Sequence, residues 1–255
     1  MIDLTIEDNI ARVVLNAPHK MNALDEAGIS ELSKAYEDAA AAGVRALILS
    51  GEGRAFCAGR DISAVNPATD DVLAYLGDLV TPLLQKMSAF PAPTFAAAHG
   101  ACLGVGLGLL IATDVVYVAD TAKIGSPFAN LGATLDSGGH ALFVERLGAH
   151  RTLDLIYSGG LMTGVEAVTA GLFSQVFPAD DLQNATMKAA THAAQGATQA
   201  FLASKELVHS LRDDRLGLWQ SMANENVAQA ALCATDDYLE GFAAFQEKRP
   251  AVFIG

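Results

Sequence analysis

The chain has 255 residues, 51% of them hydrophobic and 18% charged, with a formal net charge of −13. That length and balance suit one large globular domain or a domain with an appendage. The acidic excess argues against a nucleic-acid or anionic-membrane partner, because both need basic surfaces.

In chain order, Ile2–Glu7 and Ile10–Leu15 alternate or cluster apolar residues around Asp8 and Asn9, which predicts a hairpin. Residues 16–22 form a loop, Asp25 is placed to cap a helix over 27–42, and Gly43 closes it. A short strand over 45–50 leads into a glycine-punctuated loop over 51–59. A second helix over 72–89 ends at Pro91 and Pro93, which disfavour helix on both sides.

Thr94–Ala98 then enters a stretch, 94–113, that holds no formal charge and has glycines at 100, 104, 106 and 108. Twenty uncharged residues could span a membrane. Four glycines inside one helix would each cost roughly 1 kcal/mol, so a buried strand, a glycine turn and a buried helix account for them better. Val115–Ala119 is another strand and 122–125 a shorter one. The alternation points to an α/β class with crossover connections. Beyond residue 138 the pattern turns helical, over 139–147, 150–157, 165–170 and 181–196, with a short strand over 173–177. The tail after Thr198 holds three helical patterns, over 201–211, 216–233 and 236–248, whose many apolar positions call for docking on the core or on another subunit. The division expected is therefore 1–198 and 199–255.

Cys57, Cys102 and Cys233 are scattered without a paired spacing, which fits a reducing, cytoplasmic setting. The acidic start carries no basic export signal. Six dispersed histidines show no metal-ligand spacing, so no metal is expected.

Four features can carry chemistry. Phe56–Asp61 is a loop just after a strand, and Gly104–Gly108 sits at the start of a helix, where unsatisfied backbone N–H groups suit an anion or a developing oxyanion. Asp136 precedes two glycines and a helix. It can cap that helix, or serve as a base if an apolar pocket raises its pKa. His140, four residues on, can orient Asp136 or lie on a helix surface. The tail ends in Phe245, Lys248 and Arg249, a solvated helix end or a phosphate contact.

Together these features resemble the enoyl-CoA hydratase/isomerase (crotonase) superfamily along essentially the whole chain. The matching segments are 16–24, 45–62, 91–120, 123–139, 146–159 and 240–253. The resemblance implies a spiral of repeated ββα units with a C-terminal helical region that builds trimers or hexamers. It implies an acyl-CoA substrate and no separate cofactor, coenzyme A being part of the substrate. It also implies an oxyanion hole from the Arg60 and Val105 N–H groups. CoA contacts fall on Lys20, Ala58, Asp61, Ile62, Phe245 and Lys248, and an acyl pocket on Phe128, Leu131 and His140. Hydratases of this family need two glutamates, and the matching positions here are Gly108 and Phe128. Efficient hydration is therefore not expected. Asp136 matches the single acid of isomerase branches, which implies a shift of a 3-enoyl-CoA to a 2-enoyl-CoA. The alternatives are an aromatic or ring-epoxide acyl-CoA isomerase, a dehalogenase-like enzyme using Asp136 as nucleophile, and a catalytically quiet CoA-binding subunit.

Overall fold

The computed structural model describes all residues, 1–255. Strands β1 (Ile2–Glu7) and β2 (Ile10–Leu15) form the expected antiparallel hairpin. Its two turn residues, Asp8 and Asn9, both adopt left-handed φ (50° and 62°), the conformation that matches strand twist in a two-residue hairpin. Helix α1 (Glu26–Ala41) starts at Asp25, whose carboxylate accepts from Gly28 N at 2.8 Å, and returns the chain to β3 (Ala46–Gly51). Every residue of β3 is buried, as a parallel strand covered on both faces requires.

The second predicted helix is not regular. It runs as α2 (Val72–Ala74), a π-helical turn (Tyr75–Val80) and α3 (Thr81–Ser88). The uncharged stretch divides into β4 (Thr94–Ala98), β5 (Ala101–Leu103) and α4 (Val105–Ile111). No helix in the chain is long and apolar enough to cross a membrane. Next come β6 (Val115–Ala119), β7 (Lys123–Gly125), α5 (Gly139–Ser158) and β8 (Met162–Thr163). Helix α5 joins the two helices expected there, with Gly148 (φ 75°, ψ 166°) as the break between them. Then α6 (Gly164–Thr169), β9 (Gln175–Phe177) and α7 (Leu182–Ala194) complete the core, and α8 (Thr198–Asp213), α9 (Leu218–Leu232) and α10 (Asp236–Glu247) form the helical C-terminal region.

The main sheet has the order β1-β2-β3-β4-β6-β9 and is parallel from β2 onward. A smaller sheet, β5-β7-β8, stands beside it, and Cys57 extends it by a single bridge to Cys102. Each of β3, β4 and β6 is thus followed by a short segment in the second sheet (Cys57, β5, β7) before the chain turns helical. That repetition makes the spiral. The short strands β5 and β8 escape sequence reading because three and two residues cannot display a period.

One face of the main sheet packs the principal core with α1 and α3. The other, with Ile10, Ile48 and Phe95, is closed by Ala190, Ala193 and Ala194 of α7. The C-terminal segment is tied back to the core: Arg45 donates to Gly196 O (2.6 Å), Phe253 O (3.0 Å) and Thr198 Oγ1 (3.2 Å). The buried carboxylate of Asp237 accepts from Ile254 N and Gly255 N.

Candidate active site

Two loops meet at the C-terminal ends of β3 and β4. Phe56 N donates to His99 O (2.7 Å), Cys57 N to Ala101 O (3.0 Å) and Leu103 N to Cys57 O (3.0 Å), so the two segments run side by side like strands. Asn22 holds the first loop from beneath. It is fully buried, its amide nitrogen donates to Glu52 O, Ala55 O and Phe56 O, and its oxygen accepts from Ala17 N at 2.8 Å. Leu24 N donates to Gly59 O (2.8 Å), and Asp61 N to Leu24 O (2.9 Å).

This pairing brings Gly59 against the second loop: a Cβ on Gly59 would lie 2.8 Å from Leu103 O and 3.5 Å from Val105 N. The next peptide N–H, that of Arg60, donates to no acceptor in the protein. Val105 opens α4, whose first-turn N–H groups have no intrahelical partner. It follows Gly104, held at φ 53° and ψ −120°, a conformation closed to residues with a side chain. Two peptide donors on adjoining loops are the arrangement that receives an oxygen gaining negative charge.

The acid arrives from the segment before α5. Helix α5 is entered through Gly138 with no side-chain cap, so Asp136 is not its N-cap. Its carboxyl is half-buried, and burial pushes its pKa above the ordinary carboxylate range. The Ser137 hydroxyl, donating to Asp136 Oδ1 at 2.8 Å, opposes that shift, as do the charges of Arg60 and His140. Tyr75 is buried nearby, its hydroxyl donating to Leu24 O at 3.4 Å. Burial raises its phenol, with Asp136 among the charges adding to the shift. The Arg60 guanidinium lies over the Tyr75 ring, 3.9 Å from its centroid, and makes two 2.7 Å bonds to Asp70. A half-buried carboxyl with raised proton affinity can both take a proton and return it.

The two positions without carboxylates are filled by other contacts. A Cβ on Gly108 would come within 2.5 Å of Ser137 Cβ and 3.3 Å of Leu84 Cδ1, so the turn carrying Asp136 occupies the place of a side chain there. The Phe128 ring packs on the Gly104 turn, 2.8 Å from where a Cβ would be.

Of the other expected residues, Lys20 bonds to both Asp25 and Asp61 at 3.0 Å. The two Ser63 donors and Lys20 hold the Asp61 carboxyl down at about 2. Ala58 N donates to Met21 O (3.0 Å), and Ile62, next to Asp61 in sequence, is exposed. Leu131 is 64% exposed in a 3-10 turn, and His140 lies exposed on α5, 3.5 Å from Thr134 Oγ1, so both belong to the surface of this region rather than its interior. Phe245 belongs to the helical tail, where it lines a cavity of about 470 Å³ between α8, α9 and α10; Lys248 closes α10. Sequence reasoning missed Asn22, Asp70 and Ser137. For Asn22 a signal existed, since a polar residue between Met21 and Ala23-Leu24 must find partners if the segment is buried.

The enoyl-CoA hydratase/isomerase family profile matches residues 5–255. The 2,3-dehydroadipyl-CoA hydratase of Escherichia coli is 30% identical over 250 residues, covering 98% of this chain and 96% of that protein. A Rhodobacter capsulatus protein described as "Probable enoyl-CoA hydratase" is 33% identical over 250 residues, with 98% and 96% coverage. In three dimensions, the crystal structure of enoyl-CoA hydratase from Bacillus anthracis aligns with a TM-score of 0.89 at 26% identity, over 99% of this chain and 98% of that one. Agreement from one end of the chain to the other, in sequence and in fold, means that the protein belongs to the enoyl-CoA hydratase/isomerase (crotonase) family.

Proposed function

We propose that the protein is an acyl-CoA isomerase that moves a double bond from the 3,4 to the 2,3 position of the acyl chain, with Asp136 as its acid-base group. Family membership supports an acyl-CoA thioester as substrate. The observation that carries the isomerase reading is the pair of positions 108 and 128. One is a glycine whose side-chain space is taken by Ser137, the other a phenylalanine packed on Gly104, so neither of the two carboxylates that hydration needs is present.

In the proposed reaction the Asp136 carboxylate takes a proton from C2 of the 3-enoyl-CoA. The electron pair of that C–H bond moves into the conjugated system, and the thioester oxygen, now carrying the dienolate charge, is held by Arg60 N–H and Val105 N–H. The Asp136 carboxylic acid then returns the proton at C4, leaving the 2-enoyl-CoA. A donor of this kind contributes about 3 kcal/mol to transition-state stabilisation.

Lys20, Ala58, Asp61 and Ile62 are assigned to the CoA moiety from one subunit, and Phe245 and Lys248 from a neighbour, within a trimer or hexamer built on the helical tail. The test is a comparison of wild type with Asp136→Asn on 3-enoyl-CoA and on crotonyl-CoA. The expected result is isomerisation lost in the variant, CoA binding kept, and negligible hydration by either. Undiminished isomerisation by Asp136→Asn, or fast hydration by the wild type, would overturn the reading.

A further inference from the structure

The turn that carries Asp136 is built around its neighbour. Ser137 has φ 53°, in the left-handed region that costs a non-glycine residue energy unless its surroundings demand it. Two contacts make that demand. Ser137 Cβ sits over Gly108 of α4, where a Cβ would approach to 2.5 Å, and the same Gly108 position is 3.1 Å from Ser137 O. Ser137 Oγ points back to Asp136 Oδ1 at 2.8 Å. The left-handed backbone thus seats the side chain in the Gly108 notch and aims its hydroxyl at the carboxylate in one step. Gly138 follows with φ 90° and rests on Ile111 of the same helix, so the whole turn is seated on α4.

We propose that Ser137 is the positioning residue of the acid-base carboxyl, fixing the orientation of Asp136 and favouring its charged form by a hydrogen bond made possible by Gly108. The assignment rests on the isomerase reading for its consequence in turnover. It rests on the geometry alone for its effect on the carboxyl.

The groups facing Asp136 divide by element. Arg60 reaches it from the loop after β3, with its charge shared with Asp70. Tyr75 comes from the π-helical turn and His140 from α5, while the turn carrying Asp136 meets Gly108 and Ile111 of α4, with Leu84 of α3 beside Gly108. Ser137 is the one neighbour that donates a hydrogen bond to the carboxylate itself. An opposite charge at a distance shifts proton affinity without choosing a direction for the oxygens; a hydrogen bond does both.

The test uses Ser137→Ala and Ser137→Gly in the full chain. Both remove the hydroxyl, but only glycine relaxes the left-handed backbone and empties the notch, so it guards against a variant that fails to fold. The Asp136 carboxyl is titrated by carbon-13 NMR, and kcat/KM on 3-enoyl-CoA is followed against pH. Loss of a donor to the charged form is expected to raise the Asp136 pKa by about one pH unit in both variants. The acid limb of kcat/KM moves up by the same amount, while KM measured well above that limb stays as in the wild type. A titration that superimposes on the wild type would overturn the assignment. So would a shift in the alanine variant that is absent in the glycine variant, since backbone strain and not the hydroxyl would then be its cause. If Asp136→Asn retains isomerisation, the isomerase reading falls, and the NMR titration still decides the role of Ser137.

Discussion

Arg60 and Asp70 form a two-bond ion pair, 2.7 Å at each contact, that ties the loop after β3 to the irregular segment before α2. The guanidinium is pressed on Tyr75, so backbone, ion pair and ring fix the Arg60 peptide together. Asp70→Asn keeps the shape and removes the charge. The expected outcome is faster amide exchange across residues 62–71 and a fall in turnover on the order of tenfold as the Arg60 N–H loses its fixed direction. Hydrogen exchange and steady-state kinetics on the same samples check both.

Gly104 and Phe128 set the other donor. Gly104→Ala forces a side chain into φ 53° and against the Phe128 ring. The backbone strain alone is about 1–3 kcal/mol. Turnover should drop by about two orders of magnitude if the Val105 N–H leaves its place. Adding Phe128→Ala relieves the ring contact and leaves the φ, so urea midpoints should recover in part while kcat stays low.

Asp136 also makes a stability prediction. Burial raises its folded pKa, so the folded protein binds that proton more tightly than the unfolded chain does. Stability from this group is therefore greatest at low pH and falls as pH rises from the unfolded carboxylate value, about 3.9, through the folded one. Asp136→Asn should melt above the wild type at pH 7, with the difference closing toward acid. Thermal melts across pH test this, and a variant less stable than the wild type at pH 7 would contradict it.

The helical tail exposes Leu218 (66%), Trp219 (77%) and Val227 (72%) on α9, a large apolar display for one chain. Sedimentation should give trimers or hexamers, and Trp219→Glu should shift the protein toward monomer. A monomeric wild type would remove the basis for assigning Phe245 and Lys248 to a neighbour's CoA.

Much of the fold was legible along the chain because its signals are local. Asp25 as a cap, the Asp8-Asn9 turn and the proline stop after Ser88 each act within a few residues. So was the absence of acids at positions 108 and 128, since a missing carboxylate needs no coordinates to be noticed once the family pattern is seen. The π-helical turn at Tyr75–Val80 was not legible, because a helical pattern does not reveal which carbonyl each amide chooses. Nor were the partners of Asn22 and Asp70, which lie up to 34 and 10 residues away and depend on where loops cross, or the Ser137–Asp136 bond, which depends on the left-handed backbone at Ser137.

Composition and pattern by themselves determined that this is an acidic α/β chain; its resemblance to the enoyl-CoA hydratase/isomerase family implied an acyl-CoA substrate and showed Gly108 and Phe128 at the positions where hydratases carry two glutamates. Tertiary structure alone decided that Asp136 does not cap α5, because a capping and a non-capping Asp136 share the same sequence and differ only in backbone angles at Ser137 and Gly138. It alone decided what fills the space beside Gly108. Close packing leaves no vacancy in such a core, and the side chain that the sequence omits at 108 is replaced by the turn that brings the acid.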